Sequence, residues 1–73
     1  MPITEIETEI AGVVFRIDAE PGTTLADGDS IITIESMKME IPVTAPRPGK
    51  LVEICVAEGD SLQAGQIVAR MNA

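Results

Sequence analysis

Glu35-Ser36-Met37-Lys38-Met39-Glu40 is the segment of this 73-residue chain with the most chemical content. Lys38 is one of two lysines, and a methionine stands on each side of it. A lysine amine, once deprotonated in a partner's active site, is a good nucleophile toward an activated carboxyl group. The amide so formed makes the lysine a tether. A lysine at a turn is most often a solubilising charge, and Lys50, beside Pro48-Gly49, fits that description. The methionines at 37 and 39 fit it poorly. Exposed on a loop, they carry an apolar cost that nothing local repays, whereas flexible, polarisable Met recurs on surfaces that partners read. A core explanation, with Met37 and Met39 on one buried strand face, leaves Lys38 on the opposite face without a role.

Other reactive constellations are missing from the sequence. Cys55 is the only cysteine and His is absent, which argues against nucleophilic catalysis and a Cys/His metal centre. Cys55 is expected to face outward and be partly exposed. Asp27, Asp29, Glu58 and Asp60 sit at glycine turns, where side-chain hydrogen bonds to the backbone explain them. They lack the spacing of a calcium loop. Gly28-Asp29 and Gly59-Asp60 have no strand-to-helix context, so nucleotide binding is unsupported. No catalytic residue is assigned.

The elements that must position Lys38 are strands. Ile31–Ile34 and Glu40–Ala45 both read as β, so the chain reverses between them, and the tightest reversal puts Met37 and Lys38 at a hairpin tip. Two-residue hairpin loops need positive φ at their centre and favour Asn-Gly or Gly-X. Met-Lys supplies neither, and such conflicts between local sequence and fold gather at functional or strained sites.

The wider chain repeats at an offset of 37 residues. Gly12 matches Gly49, Ile17 matches Ile54, Gly22 matches Gly59, Leu25 matches Leu62 and Gly28 matches Gly65. Val14 with Leu51, Ala19 with Val56, Thr24 with Ser61 and Ile34 with Met71 fill the gaps. Two copies are too few for a solenoid, so they predict a small domain with a pseudo-two-fold axis. Val13–Ile17, Ser30–Ile34, Leu51–Val56 and Gln66–Met71 are rich in β-formers, and Ile6, Thr8 and Ile10 alternate with glutamates. Pro-Gly and Gly-Asp turns separate the runs. The fold class is all-β: a flattened barrel or sandwich of two antiparallel sheets, one domain over residues 1–73.

Composition sets the limits. With no disulfide or metal, the core must come from aliphatic packing; 45% of residues are hydrophobic but only Phe15 is aromatic. A net charge of −7, with no basic stripe, argues against nucleic acid and anionic membranes. No apolar run approaches the roughly 20 residues of a membrane-spanning helix. The N-terminus lacks the regions of a signal peptide, and the expected setting is the reducing cytoplasm. Met1-Pro2 fits either a natural start or the start of an excised domain.

The Met-Lys-Met triplet, the two halves and the lysine between them resemble the biotinyl/lipoyl attachment domains, in their biotin carboxyl carrier form. The resemblance covers nearly the whole chain. It implies a barrel-sandwich hybrid with Lys38 on an exposed hairpin, covalent biotin on Lys38, and Glu35, Ser36, Met37 and Met39 as the motif read by a biotin protein ligase. It further implies a non-catalytic carrier, monomeric when isolated, that moves a carboxyl group between a biotin carboxylase and a carboxyltransferase of a carboxylase or decarboxylase system. Its work is to raise the effective concentration of its cargo at two sites. The sequence departs from the pattern at Ser36, where biotinyl domains commonly have Ala. Lipoyl domains often have Ser or Thr there, followed by Asp-Lys-Ala. Lipoate on Lys38, or acceptance of both groups, is therefore the alternative. An unmodified interaction module is a third. The length resembles small standalone attachment proteins or an excised carrier domain of a larger enzyme, without a protruding thumb loop or a preceding Pro/Ala-rich linker.

Overall fold

A computed structural model describes residues 2–73; Met1, and with it the reading of Met1 as a natural or introduced start, lies outside the described residues. Eight strands follow one another: β1 (Ile3–Glu7), β2 (Gly12–Ile17), β3 (Thr24–Leu25), β4 (Ser30–Ser36), β5 (Met39–Thr44), β6 (Gly49–Ile54), β7 (Ser61–Leu62) and β8 (Ile67–Asn72). They form two four-stranded antiparallel sheets, ordered β1-β8-β6-β3 and β5-β4-β2-β7. The all-β sandwich expected from the sequence is the one observed.

The 37-residue repeat is the symmetry of the fold. Advancing β1, β2, β3 and β4 by 37 residues gives β5, β6, β7 and β8, and turns the first sheet order into the second. The correspondence reaches single hydrogen bonds. The amide of Gly28 donates to the Ala45 carbonyl as that of Gly65 donates to Thr8; Gly22 donates to Leu51 as Gly59 donates to Val14. Both long inner strands bulge at the same place, between Val14 and Arg16 and between Leu51 and Glu53. The extra residues, Phe15 and Val52, point outward at these bulges and are exposed. The sole aromatic therefore lies outside the core.

Glycine serves two purposes here. Gly22, Gly28, Gly59 and Gly65 have φ between 87° and 96°, which L side chains resist. Gly12 and Gly49 instead permit close approach: a Cβ on Gly12 would lie 2.6 Å from the Glu35 carbonyl oxygen, and one on Gly49 2.6 Å from that of Asn72.

The core is aliphatic, as composition required. Ile31, Ile32, Ile34, Val14, Leu51, Val68 and Met71 are sealed from solvent, with Ile6, Leu25 and Leu62 close behind. Each such side chain contributes about 1.5–3 kcal/mol of hydrophobic stabilisation. Thr8 takes a buried place beside the end of β1, and its hydroxyl donates to the Ile10 carbonyl while accepting from the Ile10 amide. Ile6 and Thr8 face inward as their alternation with the glutamates predicted.

Candidate functional site: the Met37-Lys38 hairpin

β4 and β5 pair from Ser30↔Thr44 to Ser36↔Met39, leaving Met37 and Lys38 alone at the turn. Both have positive φ, 52° and 67°, as the two central residues of a type I′ turn must. They are the only non-glycine residues of the described chain in that region. Left-handed backbone brings Cβ against the following carbonyl and costs roughly 1–2 kcal/mol per residue. The hairpin thus holds two side chains where Asn-Gly would sit without strain.

The turn survives because its base is well determined. Ile34, fully buried, pairs with Ile41. On its other side β4 pairs with β2, and Gly12 brings that strand's start onto the carbonyl of Glu35 and the side chain of Ile34. Cross-strand packing fixes the register, and the register fixes which two residues occupy the tip.

At the tip nothing covers the side chains. Met37 is 92% exposed and Met39 63%. This removes the explanation in which both methionines share a buried strand face. Lys38 is exposed, and the ion pairs of the described residues run through Arg16 and Arg70 instead. Lys50 is also exposed, but it lies within β6, paired with Thr24, rather than at a tip. Glu35 and Glu40 face each other across the base of the hairpin, both exposed, and Ser36 is half-buried beside them. The arrangement presents an amine at the apex of a rigid arm, flanked by two flexible apolar side chains and backed by two carboxylates. Chemically it suits acylation of the amine, with two exposed methionines beside it. A group joined there would start from a solvent-exposed apex.

Elsewhere the described residues contain no cluster of three or more His, Cys, Asp or Glu placed to hold a metal. Cys55 is exposed, as expected, one residue past the end of β6, with its sulfur 3.2 Å from Nη1 of Arg70. One polar cluster had no signal in the sequence. The Asp18 carboxylate accepts from the hydroxyls of Ser30 and Thr33, each at 2.6 Å, and from Nε of Arg16. Burial pushes this carboxyl up, but the bonds from Ser30, Thr33 and Arg16 outweigh it and hold it below the ordinary aspartate value. The cluster ties the end of β2 to β4, far along the strand from the hairpin. Arg16 is a near neighbour of Asp18, but Ser30 and Thr33 lie 12 and 15 residues from it, a separation no local pattern reveals.

Comparison with known proteins agrees with this geometry. A family profile described as "Biotin-requiring enzyme" matches residues 2–71. The biotinylated protein TB7.3 homolog of Mycobacterium leprae is 37% identical over 65 residues, which is 89% of this chain and 92% of that one. The biotin/lipoyl attachment protein of Bacillus subtilis is 30% identical, over 92% of each chain. Among solved structures, the urea carboxylase of Kluyveromyces lactis superposes with a TM-score of 0.94 at 32% identity; the match covers 99% of this chain and 6% of the carboxylase. The fold, the duplicated halves and the profile match agree, and the chain belongs to the biotin/lipoyl attachment family.

Proposed function

We propose that this protein is a biotin carboxyl carrier and that Lys38 bears the biotin in amide linkage. The observation that carries the reading is the tip itself: an exposed lysine held in a strained turn between two exposed methionines. Bound there, biotin supplies a ring that takes a carboxyl group at one active site and gives it up at another. The residues fit the group. An amine is the required acceptor, and no ion pair has to be broken to use it. Met37 and Met39 offer the polarisable contacts a biotin protein ligase needs to select this lysine over Lys50. Glu35 and Glu40, with the net charge of −7, favour basic rims on the ligase, on a biotin carboxylase and on a carboxyltransferase. The chain then works as a monomeric carrier in the cytoplasm, and its partner enzymes set the acceptor substrate. The names of the mycobacterial and Kluyveromyces relatives, one biotinylated and one a carboxylase, support this reading.

Intact mass after co-expression with a biotin protein ligase tests it. The expected result is a gain of one biotinyl group that disappears in Lys38→Ala. No gain in the parent chain overturns the reading. A second reading, acceptance of lipoate as well, is favoured by Ser36 and by the name of the Bacillus relative. Modification of Lys38 by a lipoate ligase, measured the same way, distinguishes a dual acceptor from a dedicated one.

A further inference from the structure

β1 and β5 are edge strands, one in each sheet, and the sandwich is open between them. A cavity of about 220 Å³ lies in this opening, on the side toward the hairpin. Ile10, Ile41, Pro42 and Val43 form its apolar wall, and Glu7, Thr8, Glu9 and Thr44 line the rest. A second, shallower hollow continues the groove along Glu5, Ile6, Thr44 and Pro46. The two hollows occupy equivalent places in the duplicated fold, yet their walls differ. Shifting by 37 residues takes Ile10 to Arg47, Ile41 to Thr4, Pro42 to Glu5 and Val43 to Ile6, of which Glu5 and Ile6 line the second hollow. The architecture therefore tolerates polar side chains at these positions. Only beside Lys38 are all four apolar.

We propose that this cavity is a resting site for the ring carried on Lys38, in its uncarboxylated form; the proposal rests on the biotin reading above. Ile41 follows Lys38 by three residues and Val43 by five, which in a strand is about 10 Å and about 17 Å along β5. The lysine side chain, amide and valeryl arm place about eleven bonds in line, equivalent to roughly 13 Å of extended chain. Folded back along β5, the arm brings the ring between these two residues. Ile41 is half-exposed and presents an apolar wall to it. β5 is an edge strand, and because Pro42 has no N–H the backbone there offers the ureido ring's N–H donors carbonyl acceptors rather than a full peptide-like edge. Glu7 and Glu9, both exposed, disfavour a carboxylate at the same place. The berth thus holds the empty arm and rejects the loaded one, so that loading frees the arm for the next active site.

Amide chemical shifts of the unmodified and the fully biotinylated chain, with occupancy verified by intact mass, test this. The expected result is a set of shifts at Ile10, Ile41 and Val43 in addition to those at residues 36–40. In Ile41→Thr, which keeps the β-branch and spares the central core, the distal shifts collapse while those at the hairpin remain. Full occupancy with changes confined to residues 36–40 overturns the resting site and leaves the biotin reading standing. A chain that gains no mass overturns both.

Discussion

Replacing the hairpin tip by Met37→Asn with Lys38→Gly is expected to make the protein more stable while abolishing its capacity to be modified. Both residues sit at positive φ, where each non-glycine side chain costs roughly 1–2 kcal/mol. Glycine at 38 removes that strain but adds unfolded-chain entropy worth about 0.5–1 kcal/mol. Asparagine at 37 tolerates the conformation better than methionine, because its short polar side chain bonds locally. No packing is lost, since Met37 is 92% exposed and Lys38 lies open. The balance is a gain of about 1 kcal/mol, which in a domain of this size raises Tm by roughly 4–8 °C. Calorimetry on the two chains, with urea midpoints as a second measure, decides the matter. An unchanged or lowered Tm would refute the argument that the turn is strained, and with it the claim that Met-Lys occupies these positions for its chemistry rather than its conformation. A rise in Tm together with a silent mass spectrum is the signature of stability given up for function.

Further consequences follow from packing and charge. Gly12→Ala drives a Cβ to within 2.6 Å of Glu35 backbone and Ile34, so a loss of about 1–3 kcal/mol is expected in urea unfolding, with slower modification of Lys38 as the hairpin base shifts. Ile34→Ala opens the layer under the same hairpin and should cost about 2–5 kcal/mol, a large fraction of the stability of a chain of this length, seen as a lowered Tm by circular dichroism. The Asp18 carboxyl is held below its ordinary value in the folded state, so its contribution is present above the unfolded pKa of about 3.9 and is lost as pH falls through the lower folded value. Urea midpoints measured from pH 7 down to pH 2 should therefore fall less steeply at the acid end in Asp18→Asn than in the parent. Equal slopes would mean that the cluster does not favour the ionised form.

Much of this architecture was legible because duplication writes itself into sequence. The offset of 37 residues foretold the pseudo-two-fold axis, and the glycines at 22, 28, 59 and 65 marked turns by a backbone need that survives in any single sequence. The hairpin was legible for the opposite reason: Met-Lys is wrong for its turn, and that mismatch marks the candidate site. Other features had no local trace. β3 and β7 are two residues each, too short for any period to declare them, and only their pairing with β6 and β2 makes them strands. The repeat pairs Gly12 with Gly49 just as it pairs the turn glycines, although the role of these two is close approach, which depends on strands distant in sequence. The outward place of Phe15 follows from a bulge, and a bulge is a property of two paired strands rather than of one.

The symmetry also explains why the duplicated fold offers one carrier tip instead of two. Advancing β4 and β5 by the repeat leads to β8 and, around the axis, to β1, so the mate of the hairpin is the place where Ala73 donates its amide to the Pro2 carbonyl. There the two strands are held by hydrogen bonds across the pair, with no turn between residues 73 and 2. A tight tip that pins a side chain at positive φ requires a covalent connection between its strands, and that exists only between β4 and β5. The β1 and β8 ends sit with Gly49 and β3, whereas Gly12 and β7 sit with the hairpin, so Lys38 and the chain ends occupy opposite ends of a body 35 Å long. Any segment joined at residue 2 or 73 departs from the end remote from Lys38, and the tip stays clear to enter a partner's active site.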